Sequence, residues 1–255
     1  MSSISSVSGY SGYSPYSVIA NGGTYVSAAQ GASELAMQER TKQQVGGLEA
    51  GSENLTSARS AVRVQDGAME EVTGYLQSIR ELSVKAMNGT NSDSDKKAIQ
   101  DQIDQYKKGI EDIANNTTYN EKKLLNGSAK DMVVASDANG SSETVSGYNM
   151  TLDALGIKDY DVTGDFNLDD IDKALDKLTS SRTDAGARTN GIEYAHGYNT
   201  HAALELNGFQ MDKEEDNSIN AYQQLKTKQV LDLYQATLQN KKQKDEEEKA
   251  IKLMA

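Results

Sequence analysis

Apolar residues recur at intervals of seven along one long stretch of the chain. The series consists of Leu48, Leu55, Val62, Met69 and Leu76. Ile79 lies three residues after its last member, at the second seam position of a heptad. Because an isolated helix gains too little from its hydrogen bonds alone, such a stripe needs a partner helix along its whole length. The pattern predicts a long helix with a buried seam.

A second helix is predicted after a polar break. Residues 88–95, NGTNSDSD, place a Gly where the first helix ends and Ser and Asp side chains where the next one begins. The apolar positions that follow step by four and three and comprise Ile99, Ile103, Tyr106, Ile110 and Ile113. This narrow seam predicts a helix that packs antiparallel on the first one.

Shorter elements and a third helix are predicted farther along the chain. Asn126-Gly127 and Asn139-Gly140 are turn signals around short apolar runs, which predicts a small β-hairpin region. Asp169 and Asp170 then favour a helix N-terminus. The seam of this third helix begins with Ile171, Leu175 and Leu178. At the positions that continue this spacing, the seam residues soon become small and polar.

These elements predict a mainly α-helical fold, an elongated helical bundle or coiled-coil rod with a small β-hairpin region. The only proline, Pro15, leaves long helices uninterrupted. The predicted segments are a Ser/Gly/Tyr-rich arm at 1–31, an N-terminal helical rod at 32–116, a small β-region at 117–168, a C-terminal rod helix at 169–210 and a charged C-terminal helix at 211–255. The role expected of the seam residues is lengthwise packing of helices.

Composition removes several classes of function. The chain has no Cys, which excludes disulfides and thiol chemistry. With 38 acidic against 26 basic residues and a formal charge of -12, it is a poor partner for nucleic acid or anionic lipid. No apolar run approaches the roughly 20 residues that span a bilayer, and no basic leader with a cleavage site is present. We expect export, where it occurs, without a cleaved signal peptide.

Candidate chemistry is sparse. The loop 159–170 matches an EF-hand in part, but its last position is Asp170 rather than a bidentate Glu, so we interpret it as a turn before the third helix. The two histidines, His196 and His201, are five residues apart and do not share a helical face for a metal. No phosphate loop, G-x-S-x-G or H-E-x-x-H sequence occurs. We expect no metal, no cofactor and no enzymatic activity.

One stretch resembles a known family. Residues 77–86, QSIRELSVKA, followed by NGTNSDSD, are similar to bacterial flagellins. Further matching stretches lie at 54–59, 65–69, 99–100, 115–120, 123–127, 155–157, 161–166 and 171–175. Together they cover about half of the chain, mostly in its N-terminal half.

The resemblance implies a subunit that self-assembles into the bacterial flagellar filament for motility. Its terminal helices would pack as a rod in the filament, with their outer ends forming coiled coils around a channel. The implied partners are other copies of the chain, the flagellar export machinery and a flagellin chaperone, and the implied location is extracellular. Arg80 and Glu81 would be inter-subunit contacts. Only about fifty residues stand where the family carries large variable outer domains.

The sequence departs from the family at both ends. Residues 1–30 are aperiodic where the family has a helix, and 241–249 are charged where its C-terminus is mostly uncharged. Arg188, His196 and Asn199 replace apolar core residues. Two alternatives therefore stay open. The chain could be a divergent flagellin-like protein that acts as a minor or capping partner and does not polymerise alone, or a secreted binding module that uses its Tyr-rich arm.

Overall fold

The computed structural model describes residues 14–254 and is dominated by long helices. The helices are α1 (Pro15–Ala20), α2 (Ala28–Ala86), α3 (Asp93–Asn116), α4 (Leu152–Leu155) and α5 (Leu168–Met254). The strands are β1 (Thr118–Tyr119), β2 (Lys122–Lys123), β3 (Met132–Ala135) and β4 (Ser142–Val145). The predicted mainly α fold with a small β-region is confirmed. Within the described residues, none of the helices is apolar over a length that would cross a bilayer.

The chain forms two compact units. Residues 46–202 make up one, which we call the central unit, and residues 1–45 with 203–255 make up the other, the terminal unit. Both α2 and α5 contribute to each unit. The boundary predicted at 210/211 lies inside α5, which continues through it. Opposite charges within one turn, such as Lys213 and Asp216 at 3.9 Å, favour the helix there.

The central unit is built on α2, α3 and the first part of α5. Arg80 meets Asp172 and Arg182 meets Asp66, so α2 and α5 run antiparallel side by side. Between α2 and α3 the chain turns at residues 87–92, and Ser92 opens α3 with a capping box. Its Oγ accepts from Asp95 N, while the Asp95 carboxylate accepts from Ser92 N at 3.0 Å. These helices enclose one continuous apolar core.

Two antiparallel two-stranded sheets form the β-region. Strand β1 pairs with β2, and β3 pairs with β4 in a register that places Val133 opposite Thr144. Asn139-Gly140, the predicted turn signal, lies between β3 and β4, and Gly140 adopts φ +96°, a conformation that suits Gly. The β-region also adds apolar side chains to the core that the helical periodicity did not indicate. They are Leu124, Leu125, Val145, Met150, Leu155, Ile157, Tyr160 and Val162.

The terminal unit contains a short helix within the segment predicted as an arm. Helix α1 has Pro15 in its first turn, where proline is favoured, and it buries Val18 completely. The chain then turns at Gly22 and Gly23, both with positive φ, and passes so close to Glu214 of α5 that a Cβ on Gly23 would overlap the Glu214 carbonyl. The sequence pattern did not indicate this helix, because one buried side chain and a double-glycine turn produce no periodicity. Residues 1–13, with Tyr10 and Tyr13, lie outside the described residues.

Candidate self-association surfaces

Most of the predicted seam residues lie inside the central unit. The buried ones are Leu55, Val62, Met69, Leu76, Ile79, Ile103, Ile110, Ile171 and Leu178. Ile99, Ile113 and Leu175 are half-buried and pack against the same core. Leu48 is half-buried and is not part of that core. The seam is therefore used within one chain, where α2, α3 and α5 cover each other. These buried side chains are therefore not available to a second copy of the chain.

Arg80 and Glu81 lie on the exposed side of α2. Arg80 Nε donates to Asp172 Oδ1 of α5 at 2.7 Å, with both side chains nearly half exposed. The hydrogen bond to the Asp172 carboxylate raises the pKa of the Arg80 guanidinium. Glu81 is exposed. Arg80 is thus already engaged within its own chain, and a role in contacting another copy would have to share or exchange this partner.

Where the third seam turns polar, side chains of α5 make ion pairs with α2. Arg182 Nε lies 2.8 Å from Asp66 Oδ1, and its Nη2 lies 3.7 Å from Glu70 Oε2. The Arg182 side chain is about one-third exposed. Such partly solvated pairs contribute little net stability but fix the register of two helices when their geometry is good. The sequence indicated the change of seam chemistry at Arg182 but not its partners.

Arg188, one of the departures from the family, anchors the β3–β4 hairpin to α5. Its Nε donates to Asp184 Oδ2 at 2.9 Å, and Nη1 donates to the Thr144 carbonyl at 3.3 Å. Tyr148 OH donates to the same Asp184 oxygen at 2.8 Å. Burial, and then the Asp184 carboxylate, raise the pKa of Tyr148, whereas the hydrogen bond from Arg188 lowers the pKa of Asp184. A cation is accommodated at this position because Asp184 of the same helix and the Thr144 carbonyl of the hairpin both accept hydrogen bonds from it.

Asp184→Asn is expected to reduce stability in a pH-dependent way. A carboxylate whose pKa is lowered by folding stabilises the protein above its ordinary value of about 4, and this contribution is lost as the pH falls through the folded pKa. The loss at pH 7 should be under about 1 kcal/mol, since Asp184 is nearly half exposed and its pair is screened. Urea unfolding at pH 7 and near pH 2.5 measures it. The difference from the native chain should shrink at the lower pH.

The matched control for this carboxylate is Asp176→Asn, which alters an exposed carboxylate on the same helix. It should leave the pH dependence of unfolding almost unchanged. A constant offset for Asp184→Asn at both pH values would contradict the assignment of its charge to the Arg188 pair.

Asn199 and the two histidines differ in how deeply they are buried. Asn199 is buried, and its Nδ2 donates to the carbonyl of Ser136 at 2.6 Å and to that of Leu48 at 3.4 Å. His196 is half-buried and His201 is exposed. Asn199 therefore bridges α2 and the end of β3, since its amide donates to one backbone carbonyl of each.

The EF-hand-like loop uses its oxygens for local turns. Asp161 Oδ1 accepts from both the backbone N and the Oγ1 of Thr163 at 2.7 Å, and these bonds lower the pKa of Asp161. Asn167 Oδ1 accepts from Asp169 N at the start of α5. Over residues 14–247, whose side chains the structure describes, there is no group of three or more His, Cys, Asp or Glu side chains that could hold a metal ion.

A long apolar stripe of α5 in the terminal unit faces solvent. The exposed members that follow residue 218 are Ile219, Tyr222, Val230, Leu231, Leu233, Tyr234 and Leu238, each at least 40% exposed. Large apolar side chains grouped in this way mark an interaction surface. Hydrophobic periodicity predicted a helix here but did not show that its stripe stays uncovered. The arrangement as a whole defines a helical packing scaffold whose own core is complete and whose last helix has apolar surface left over.

The class of scaffold is given by comparison with known proteins. Residues 17–130 match the family model of the bacterial flagellin N-terminal helical region. The chain is 37% identical to a flagellin of Clostridium tyrobutyricum over 49% of its own length and 33% of that protein. It is 31% identical to a flagellin of Salmonella montevideo over 67% of its own length and 34% of that protein.

A solved structure agrees with these relatives. The crystal structure of Bacillus cereus flagellin superposes with a TM-score of 0.52 at 25% identity, covering 58% of this chain and 88% of that one. The resemblance to bacterial flagellins is confirmed, and residues 17–130 are the part of the chain that matches the flagellin N-terminal helical region. The chain spans about a third of the length of the curated flagellins that it matches.

Proposed function

We propose that this chain is a structural subunit that associates with copies of itself to build a bacterial flagellar filament. The flagellin N-terminal region and the flagellin relatives support this function. The observation that carries it is the uncovered apolar stripe of α5, because the seam of the central unit is already satisfied within the chain. A stripe of this kind is stabilised when it is removed from water by helices of neighbouring copies.

The remaining parts of the proposal follow from this role. The subunit acts mechanically, without catalysis, outside the cell, and reaches its site through the flagellar export machinery with a flagellin chaperone as escort. The predicted segments at 32–116 and 169–210 supply the packed helices, and 211–255 supplies the association helix. Arg80 and Glu81 remain proposed contacts between copies, beside the Arg80–Asp172 pair.

Electron microscopy of the purified chain under assembly-promoting salt tests the function. Filaments are expected. They would exclude the alternative in which the chain is a minor or capping partner that does not polymerise alone. A monomer that persists at every salt and protein concentration would exclude the proposal instead.

The double substitution Leu231→Glu with Leu238→Glu is expected to abolish filaments while leaving the fold intact. Both residues are exposed and lie seven positions apart on one side of α5, so the charges do not enter the core but prevent burial between copies. Sedimentation and microscopy measure assembly, and circular dichroism checks helix content. An assembled fraction lowered at least tenfold is expected.

A matched double variant adds the same charge elsewhere on the same helix. Gln239→Glu with Gln243→Glu places two carboxylates on its polar side, since successive residues are rotated by about 100°. This control should still assemble. Equal loss of filaments in both variants would assign the effect to net charge rather than to the apolar stripe.

A further inference from the structure

The two edges of the β3–β4 hairpin can be distinguished from its hydrogen bonds. Ser136 N donates to Ser141 O, which makes that pair a hydrogen-bonded one in the register of the hairpin. Because hydrogen-bonded and non-hydrogen-bonded pairs alternate in an antiparallel ladder, the N–H and C=O groups of Val133 and Ala135 point away from β4. By the same alternation, the N–H and C=O groups of Thr144 point away from β3.

The outer edge of β4 is covered by side chains. Arg188 Nη1 donates to Thr144 O, and Gln65 Nε2 donates to the carbonyl of Ser146, which lies in the same alternation just beyond β4. Both donors come from helices that pack over this edge. Covered edges do not take up further strands, and natural proteins protect sheet edges in this manner.

The outer edge of β3 is covered only at one end. Asn54 Nδ2 of α2 donates to Ala135 O at 3.2 Å. Neither the side chains of residues 14–247 nor the backbone of residues 14–254 bonds the outward N–H and C=O of Val133, a residue that is 71% exposed. This edge therefore presents a free backbone donor and acceptor to another chain.

A groove runs along this open edge. It has a volume of about 430 Å³ and lies between β3 and α2, and Tyr119, Asn120 and Lys122 of the β1–β2 hairpin also line it. Apart from Asn54, the α2 wall is made of small side chains, those of Ser57, Ala58 and Ala61. A third strand would lie about 4.8 Å from β3, and short side chains on the facing helix leave space for its backbone. An edge strand beside such a wall is the geometry that binds an extended peptide by strand addition.

We propose that residues 1–13 of a second copy bind in this groove as a third strand on β3. This inference rests on the self-association in the proposed function and names the segment that one copy inserts into the next. Residues 1–33 contain no Asp, Glu, Lys or Arg, in a chain whose formal charge is -12. This stretch can thus approach the acidic central unit of another copy without side-chain repulsion.

Composition and length also fit the segment to the groove. Eight of residues 1–13 are Ser or Gly, so the segment has small side chains, and its binding depends on backbone hydrogen bonds. Fully extended, 13 residues reach about 43 Å, several times the length of the four-residue β3. The donor segment and the acceptor groove are different surfaces. The contact is therefore heterologous and extends from copy to copy, as a filament requires.

The absence of Cys in the native chain allows a direct test by cross-linking. One full-length chain carries Ser57→Cys in the groove. A second, distinguished by a mass tag, carries a single Cys in place of Ser3, Ser5, Ser6 or Ser8 in turn. Mixed disulfides between the two chains are expected, and their yield should alternate along the segment, since successive residues of a strand face opposite sides. Adjacent positions Ser5 and Ser6 should differ at least fivefold.

Two controls separate strand addition from chance collision. Ser180→Cys places the thiol at an exposed position of α5 outside the groove and should give little mixed disulfide. Val133→Pro in the groove chain removes the outward N–H without touching a bond to β4 and should lower the yield at least fivefold. Val133→Thr keeps that N–H and should retain the yield.

Each outcome decides the inference independently of filament formation, because the cross-link is measured in both assembled and unassembled fractions. Yields no higher than those with Ser180→Cys would overturn it, and filaments formed without the cross-link would leave the proposed function standing. Equal yields at all four serines would also overturn strand addition. If Val133→Pro disturbs the fold, as judged by circular dichroism, the serine series decides alone.

Discussion

Leu76→Asp should lower the free energy of unfolding by several kcal/mol, on the order of 4. Leu76 is fully buried in the core of the central unit, where α2, α3 and α5 meet. The substitution removes apolar contacts and places a carboxylate where the core offers apolar neighbours. That carboxylate has to become neutral or draw water inward, and either response costs free energy. Urea unfolding followed by far-ultraviolet circular dichroism measures the change.

The neighbouring substitution Gln77→Asp is the control for this prediction. Gln77 is exposed on the same turn of α2, so it adds the same charge to the same helix without entering the core. Its effect should stay within about 0.5 kcal/mol. If Leu76→Asp unfolded at the same urea concentration as the native chain, the assignment of the α2 seam to a buried core would be refuted.

Gly51→Ala should destabilise the central unit by about 2 kcal/mol, as overpacking does. A Cβ at this position would overlap the carbonyl of Ser136 and approach the Asn199 amide at 3.0 Å. The obstacle is backbone at the end of β3, so a side-chain rotation cannot relieve it. The substitution should push the hairpin away from α2 and lengthen the bond from Asn199 to Ser136 O. Hydrogen exchange of the β3–β4 amides would register this loosening.

Gly67→Ala makes the same substitution at a position of α2 that has open space around it. Gly67 lies in the same helix, and nothing lies within 4 Å of a Cβ built there. Alanine should raise stability by up to about 1 kcal/mol, since glycine is a poor helix former. Opposite signs at the two positions are therefore expected. A gain at Gly51 similar to that at Gly67 would show that the hairpin does not approach α2 as closely as the structure has it.

Sequence patterns predicted the helices of the central unit because burial leaves a period in the chain. A helix covered on one face repeats its apolar residues every three or four positions, and the seams of α2, α3 and α5 do so. Gly and Asn turn signals predicted the hairpin for an equally local reason, the backbone conformation at Gly140. The stretch 77–95 was distinctive enough to indicate the flagellin family, which the family model confirms.

Contacts between distant segments left no such period. Val18 of α1 is buried without periodic neighbours, and Leu124 and Leu125 enter the core from an irregular stretch. Arg188 and Asn199 read from the sequence as departures from an apolar seam. In the structure each bonds a hairpin carbonyl, at Thr144 and at Ser136 respectively. Nothing in their spacing indicates these partners, since a backbone acceptor has no residue type to recognise.

For α2, α3 and the part of α5 in the central unit, the sequence alone determined that the segments are helical and which face of each is buried, because those properties depend on residues within a few positions of one another. The tertiary structure decided which edge of the hairpin is covered, which glycine has to remain glycine and which stripe of α5 stays in water. These depend on the distance between residues far apart in the chain. That distance is set only when the complete core has packed.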